Sequence, residues 1–128
     1  MKTHIGKLPQ LASGVRLPLS RAVRAGEFLF LSGQLGVDGS GAVVAGGIEA
    51  QTRQALNNIG TVLGEAGASP SDVVRSAVWL TDRSDFAAFN RVYAEYFGDT
   101  PPARSTVVSD LVLDGALVEI EVTAYLAR

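Results

Sequence analysis

With no cysteine, and with His4 as its single histidine, this chain must do any chemistry with arginine, carboxylates, hydroxyls and amides. That excludes thiolate nucleophiles, cysteine zinc ligands and a Ser/His/Asp triad. One run stands out, Pro101-Pro102-Ala103-Arg104-Ser105-Thr106, because two prolines fix the approach of the chain before Arg104 opens a strand. A guanidinium presented in this way is a bidentate clamp for a carboxylate, and its charge does not depend on pH. If Ser105–Val108 is extended, Arg104 and Thr106 share a face, which brings a hydroxyl beside the clamped group. Glu119 is the acid/base candidate, since Leu117 and Val118 flank it and desolvation there raises a carboxyl's proton affinity. Glu121, two residues on, is open to a structural ion pair with an arginine. Asn90 sits on the polar flank of an expected helix, where asparagine is a poor helix former. His4 lies near a terminus and reads as a solvated or edge-strand side chain. Arginines after turns and paired strand glutamates also occur on plain solvated surfaces, so spacing alone leaves these roles open.

The elements that must position these groups follow from periodicity. Ala55, Leu56, Ile59, Val62, Leu63 and Ala66 keep the three-and-four spacing of one helical face, and Gly67 supplies a stop, which predicts a helix from about Ile48 to Ala66. A second helix carries Phe86, Phe89, Tyr93, Tyr96 and Phe97 along one core-facing stripe, with Ser84 as its expected N-cap and Gly98 just past its end. Between them, Val73–Thr81 is short, β-branched and closed by Asp82, hence a strand. Further strands are expected near Ala22–Val23, at Phe28–Ser32, at Ser105–Val108 and at Leu117–Leu126. The glycines at 39, 41, 46 and 47 suit a hairpin turn and a loop into the helix, not a phosphate cradle.

This order predicts an α+β layer in which both helices cover one face of a mixed sheet. In the last strand Val118, Ile120, Val122, Ala124 and Leu126 point to the core, while Leu117, Glu119, Glu121, Thr123 and Tyr125 point away. Such a mixed outer face suits contact with another subunit around something polar, or plain solvent.

The whole chain sets further bounds. Its 128 residues predict one domain spanning 1–128. Eleven basic against thirteen acidic residues, net −2, leave no basic stripe for nucleic acid. No apolar run is long enough for a membrane span, and Met1-Lys2-Thr3-His4 leads into no secretory stretch, so a cytoplasmic protein is expected.

Four runs, Gln51-Thr52-Arg53-Gln54-Ala55-Leu56-Asn57-Asn58-Ile59, Phe89-Asn90-Arg91-Val92-Tyr93-Ala94-Glu95-Tyr96-Phe97, Pro102-Ala103-Arg104-Ser105-Thr106 and Val118-Glu119-Ile120-Glu121, resemble signature segments of the RidA/YjgF/YER057c/UK114 family. With Ser32-Gly33-Gln34 and Ala66-Gly67-Ala68-Ser69, the resemblance spans nearly the whole chain. It implies a chorismate-mutase-like fold of the bacillus type, assembled as a homotrimer with sites in clefts between subunits. It also implies hydrolysis of 2-aminoacrylate-type enamines, through 2-iminopropionate-type imines, to 2-keto acids and ammonia, with no metal or organic cofactor. On that resemblance Arg104 grips the substrate carboxylate, Glu119 positions or activates water, and Ser32, Asn90 and Thr106 line the cleft. Many relatives carry a Gly-x-Tyr-Ser-Gln-Ala-like run near the N-terminus. This chain has Leu17-Pro18-Leu19-Ser20-Arg21-Ala22 instead, which puts Leu19 and Arg21 among the substrate-binding candidates. The departure is compatible with a larger, more apolar or doubly anionic enamine, or with a trimeric binder of small carboxylates that does not catalyse.

Overall fold

The structure is a computed structural model that describes residues 1–11 and 13–127. Its elements run β1 (Lys2–Ile5), β2 (Ala22–Ala25), β3 (Phe28–Leu31), β4 (Gln34–Leu35), α1 (Gly47–Glu65), β5 (Val73–Leu80), α2 (Phe86–Phe97), β6 (Ala103–Val108) and β7 (Val118–Tyr125). The strands form one mixed sheet in the order β1-β2-β3-β7-β5-β6, and β4 pairs with β7. Among the described strands only β5 and β6 are parallel, joined by the crossover through α2; the other pairings are antiparallel.

Burial alternates along β7 as a one-sided sheet requires. Val118, Ile120, Val122 and Ala124 are buried under the helices, while Glu121 and Tyr125 are exposed. In α1 the buried face holds Ala55, Leu56, Ile59, Val62 and Leu63, the expected set without Ala66, which is half-buried at the C-cap, and it begins with two polar residues, Gln51 and Thr52. The helix stops where Gly67 takes a left-handed φ of 79° and the Ala68 N–H reaches back to the Leu63 carbonyl at 2.8 Å.

Several expectations need correction. Ser84 does not cap α2. It lies in a 3-10 turn over Arg83–Asp85, and Asp82 is the cap there, accepting from the Ser84 N–H at 2.8 Å and hydroxyl at 2.7 Å. The aromatic stripe is only partly core, since Phe89, Tyr93 and Phe97 are buried but Phe86 is exposed. Two short strands, β1 and β4, join the expected set, and His4 falls on β1 at the sheet edge. In β5 an extra residue at Val73–Arg75 shifts the register, so that Val74 and Arg75 both face outward.

Candidate functional site

Arg104, the second residue of β6, pairs in register with Ser76, and Thr106 pairs with Val78. Both β5 partners are buried, so Arg104 and Thr106 face the helix-covered side at the open edge of the sheet. There the guanidinium lies against three rings of α2, 4.7 Å from the centroid of Tyr93, 5.4 Å from Phe89 and 5.7 Å from Phe86. Cation–π attraction fixes its plane without neutralising its charge. Beneath it the Tyr93 and Ser76 hydroxyls share a buried hydrogen bond of 2.5 Å. Burial pushes the Tyr93 phenol up, against the opposing pull of Ser76 and Arg104. Among the described residues no carboxylate pairs with Arg104. Asn90 is one helical turn past Phe86 on the same stripe, and its buried Oδ1, like the Thr106 Oγ1, has no hydrogen-bond partner among the described residues. Cation, amide and hydroxyl on one rigid edge suit a small carboxylate ligand.

Glu119 belongs to the opposite face. Its neighbours Val118 and Ile120 are fully buried and it pairs with Trp79 and Leu35, so its half-buried carboxyl points to the side no helix covers. Burial, and then the charge of Glu121, raise its proton affinity, which suits a group that must take up and return a proton. Its carboxyl lies over Gly33, where an added Cβ would strike it. Beside Gly33 opens a cleft of about 700 Å³ that Leu19, Ser32 and Glu121 help to line. Ser32 is held by a hydroxyl bond to the Ser20 carbonyl at 2.6 Å and by its N–H to the Arg21 carbonyl at 2.9 Å.

The expected site residues therefore fall into two groups: Arg104, Thr106 and Asn90 on the covered face, and Glu119, Ser32 and Leu19 on the other. Strand β5 separates β6 from β7, which adds roughly 10 Å of lateral spacing to the opposed directions. Within one chain Arg104 and Glu119 do not meet. Arg21 stands apart from both groups: its guanidinium approaches Glu65 of α1 at 3.9 Å, and it is absent from the cleft lining. Glu121 has no arginine partner among the described residues, contrary to the ion pair considered from sequence. No three His, Asp or Glu side chains among those residues gather closely enough to hold a metal ion.

Sequence reasoning assigned no role to Gln51. Its amide donates to the Gly115 carbonyl at 3.1 Å and accepts from the Leu117 N–H at 2.8 Å, which fixes the entry to β7 two residues before Glu119. Asn58 does the same for β4, donating to the carbonyls of Leu35 at 3.0 Å and Val37 at 2.9 Å. The readable signal was two amides on the inner side of an otherwise apolar helical pattern.

A two-helix layer over a mixed sheet, with a ring-stacked arginine at one edge and a carboxyl on the far face, defines the class. Residues 11–126 match the family described as Endoribonuclease L-PSP. A RutC family protein of Pyrococcus horikoshii is 48% identical over 109 residues, covering 84% of this chain and 86% of its own. The 2-iminobutanoate/2-iminopropanoate deaminase of Capra hircus is 43% identical over 108 residues, covering 84% and 79%. A solved structure of a Rid-family protein from Yersinia pestis, 37% identical, superposes with a TM-score of 0.88 over 98% of this chain and 100% of that one. The chain belongs to the RidA/YjgF/YER057c/UK114 family.

Proposed function

We propose that this protein is an imine/enamine deaminase whose site lies between two copies of the chain. The observation that carries the reading is the placement of Arg104 and Glu119 on opposite faces of one sheet, Arg104 beside the unpartnered oxygens of Asn90 and Thr106 and Glu119 beside the cleft at Gly33. A 2-imino acid has its carboxylate and reacting carbon one bond apart, so one chain cannot serve both. Arg104 of one subunit, with Asn90 and Thr106, holds the carboxylate, and Glu119 of the partner subunit faces C2 across the junction. A closed ring of three such chains, each offering its edge to the next outer face, satisfies every half-site. This is the homotrimeric, chorismate-mutase-like arrangement that the resemblance implies, with residues 1–128 as one domain. The deaminase names of the mammalian relatives support the chemistry.

The steps balance without a cofactor. An enamine substrate first takes a proton at C3 to become the iminium. Water oxygen then bonds to C2 while Glu119 takes one water proton, and the C2–N double bond becomes single, giving a carbinolamine. Glu119 returns the proton to nitrogen, the C–N bond breaks as the C2 carbonyl forms, and the hydroxyl proton leaves with ammonia as ammonium. Arg104 holds the carboxylate and C2 in one orientation throughout. Arg21 has no part in this scheme, because its guanidinium is engaged with Glu65.

Mixing two single-site variants tests the reading. Arg104→Ala and Glu119→Gln proteins are each expected to hydrolyse 2-aminoacrylate, generated in situ, at least about 100-fold more slowly than the unmodified protein. Co-assembled in equal amounts, they regain about a quarter of the sites, since random mixing brings the intact arginine and the intact glutamate together at that frequency. No recovery on mixing would place the site within one chain. Unchanged activity in Arg104→Ala would remove the arginine from the site, and 2-keto-acid binding without turnover of any imine would reduce the protein to a carboxylate binder.

A further inference from the structure

The cleft beside Glu119 has a wall that the deamination chemistry does not use. Leu8, Leu17, Pro18, Leu19, Val23 and Phe30 line it, and Leu19 and Phe30 are 41% and 48% exposed. The wall is fastened next to the reacting centre: the Leu19 N–H bonds to the Leu17 carbonyl at 2.8 Å and the Leu17 N–H to that of Pro9 at 3.0 Å, while Ser20 accepts from Ser32. Ser32 and Gly33, over which the Glu119 carboxyl lies, form the polar floor at the foot of this wall. In the proposed site, a side chain on C2 that points away from the clamped carboxylate runs along it.

Charge decides what kind of side chain fits. Glu121 lines the cleft and Glu119 lies at its edge, so a second carboxylate on the substrate is repelled. Among the described residues Lys2 is the one cation on the lining, and Arg21 is turned to Glu65. We infer that the cleft takes the substrate side chain, and that the preferred substrates are imines with an aliphatic side chain of about four carbons, not the methyl or ethyl imines. Leu19 is a specificity residue for that choice. The inference rests on the deaminase reading for its chemistry, but its preference can be read without turnover.

Imines generated in situ by an amino-acid oxidase from alanine, leucine and glutamate, with product formation followed against a trapping agent, give the ratio of kcat/KM values. The ratio of 2-imino-4-methylpentanoate to 2-iminopropanoate is expected to reach about tenfold or more, since one methylene in an apolar pocket is already worth that much. Leu19→Asn, an exposed position where folding is not at stake, brings the ratio down toward one. Calorimetry with 4-methyl-2-oxopentanoate and pyruvate reads the same preference by affinity. If no imine is turned over but the branched oxo acid binds about tenfold more tightly, the cleft assignment stands and the deaminase reading falls. Equal kcat/KM and equal affinity across the series, or a preference for the glutamate-derived dianion, would overturn the assignment.

Discussion

In the proposed mechanism Glu119 has to be ionised to accept a proton from water, yet both its partial burial and the nearby Glu121 charge favour its protonated form. Activity therefore rises with pH through a midpoint above the ordinary glutamate range. Glu121→Gln removes the second cause and leaves the first, so the acid limb of kcat/KM is expected to move to lower pH. A pH profile of the two proteins checks this; a limb that stays in place would mean another group sets it. Arg104 was readable from its sequence neighbourhood as a rigidly presented cation. Its stacking on Phe86, Phe89 and Tyr93 was not, because those rings reach β6 only through the packing of α2. Nor did spacing tell which face Arg104 takes, since β6 alternates weakly, and only its register against Ser76 and Val78 decides it.

At the scale of elements, long periodic segments were legible and short ones were not. α1, α2, β5 and β7 carry a burial period over eight or more residues. β4 has two residues and β1 four, too few for a pattern to rise above composition. Yet β4 helps to hold Glu119 in place, and its seating depends on a close approach. Gly36 is buried against α1, and an added Cβ would meet the backbone of Gln51. Because that neighbour is helix backbone and cannot swing aside, Gly36→Ala is expected to cost about 3 kcal/mol of stability. Urea unfolding checks the value, and a loss below about 1 kcal/mol would mean that β4 and α1 separate easily.

For the whole molecule, the sheet face away from the helices is the feature that calls for company. Phe28 and Phe30 lie 6.2 Å apart and Phe28 packs on Tyr125 at 5.3 Å between centroids, all three substantially exposed. An apolar cluster of this kind on an outer face marks an association surface. Phe28→Glu is expected to leave the chain folded but to lower both the assembled mass, read by light scattering, and activity, read at the same concentration. An assembled mass that survives the substitution would put the proposed interface elsewhere. The mixed character of this face was visible along β7 alone, whereas the contribution of β3 was hidden, because Phe28, Leu29, Phe30 and Leu31 read as continuously apolar and show no outward side.

The opposed placement of Arg104 and Glu119 also bears on how such a sequence tolerates change. In the proposed site, a packed sheet stands between the part that would recognise the common head of an imino acid and the part that would meet its variable tail. Substitutions at Leu19 or Leu17 can remodel the tail's surroundings without reaching, through the same chain, the rings and hydroxyls that hold the arginine. On that proposal recognition and preference are mechanically insulated from each other, so a lineage built on this chain would drift toward new substrates while its grip on the shared carboxylate stayed as it was.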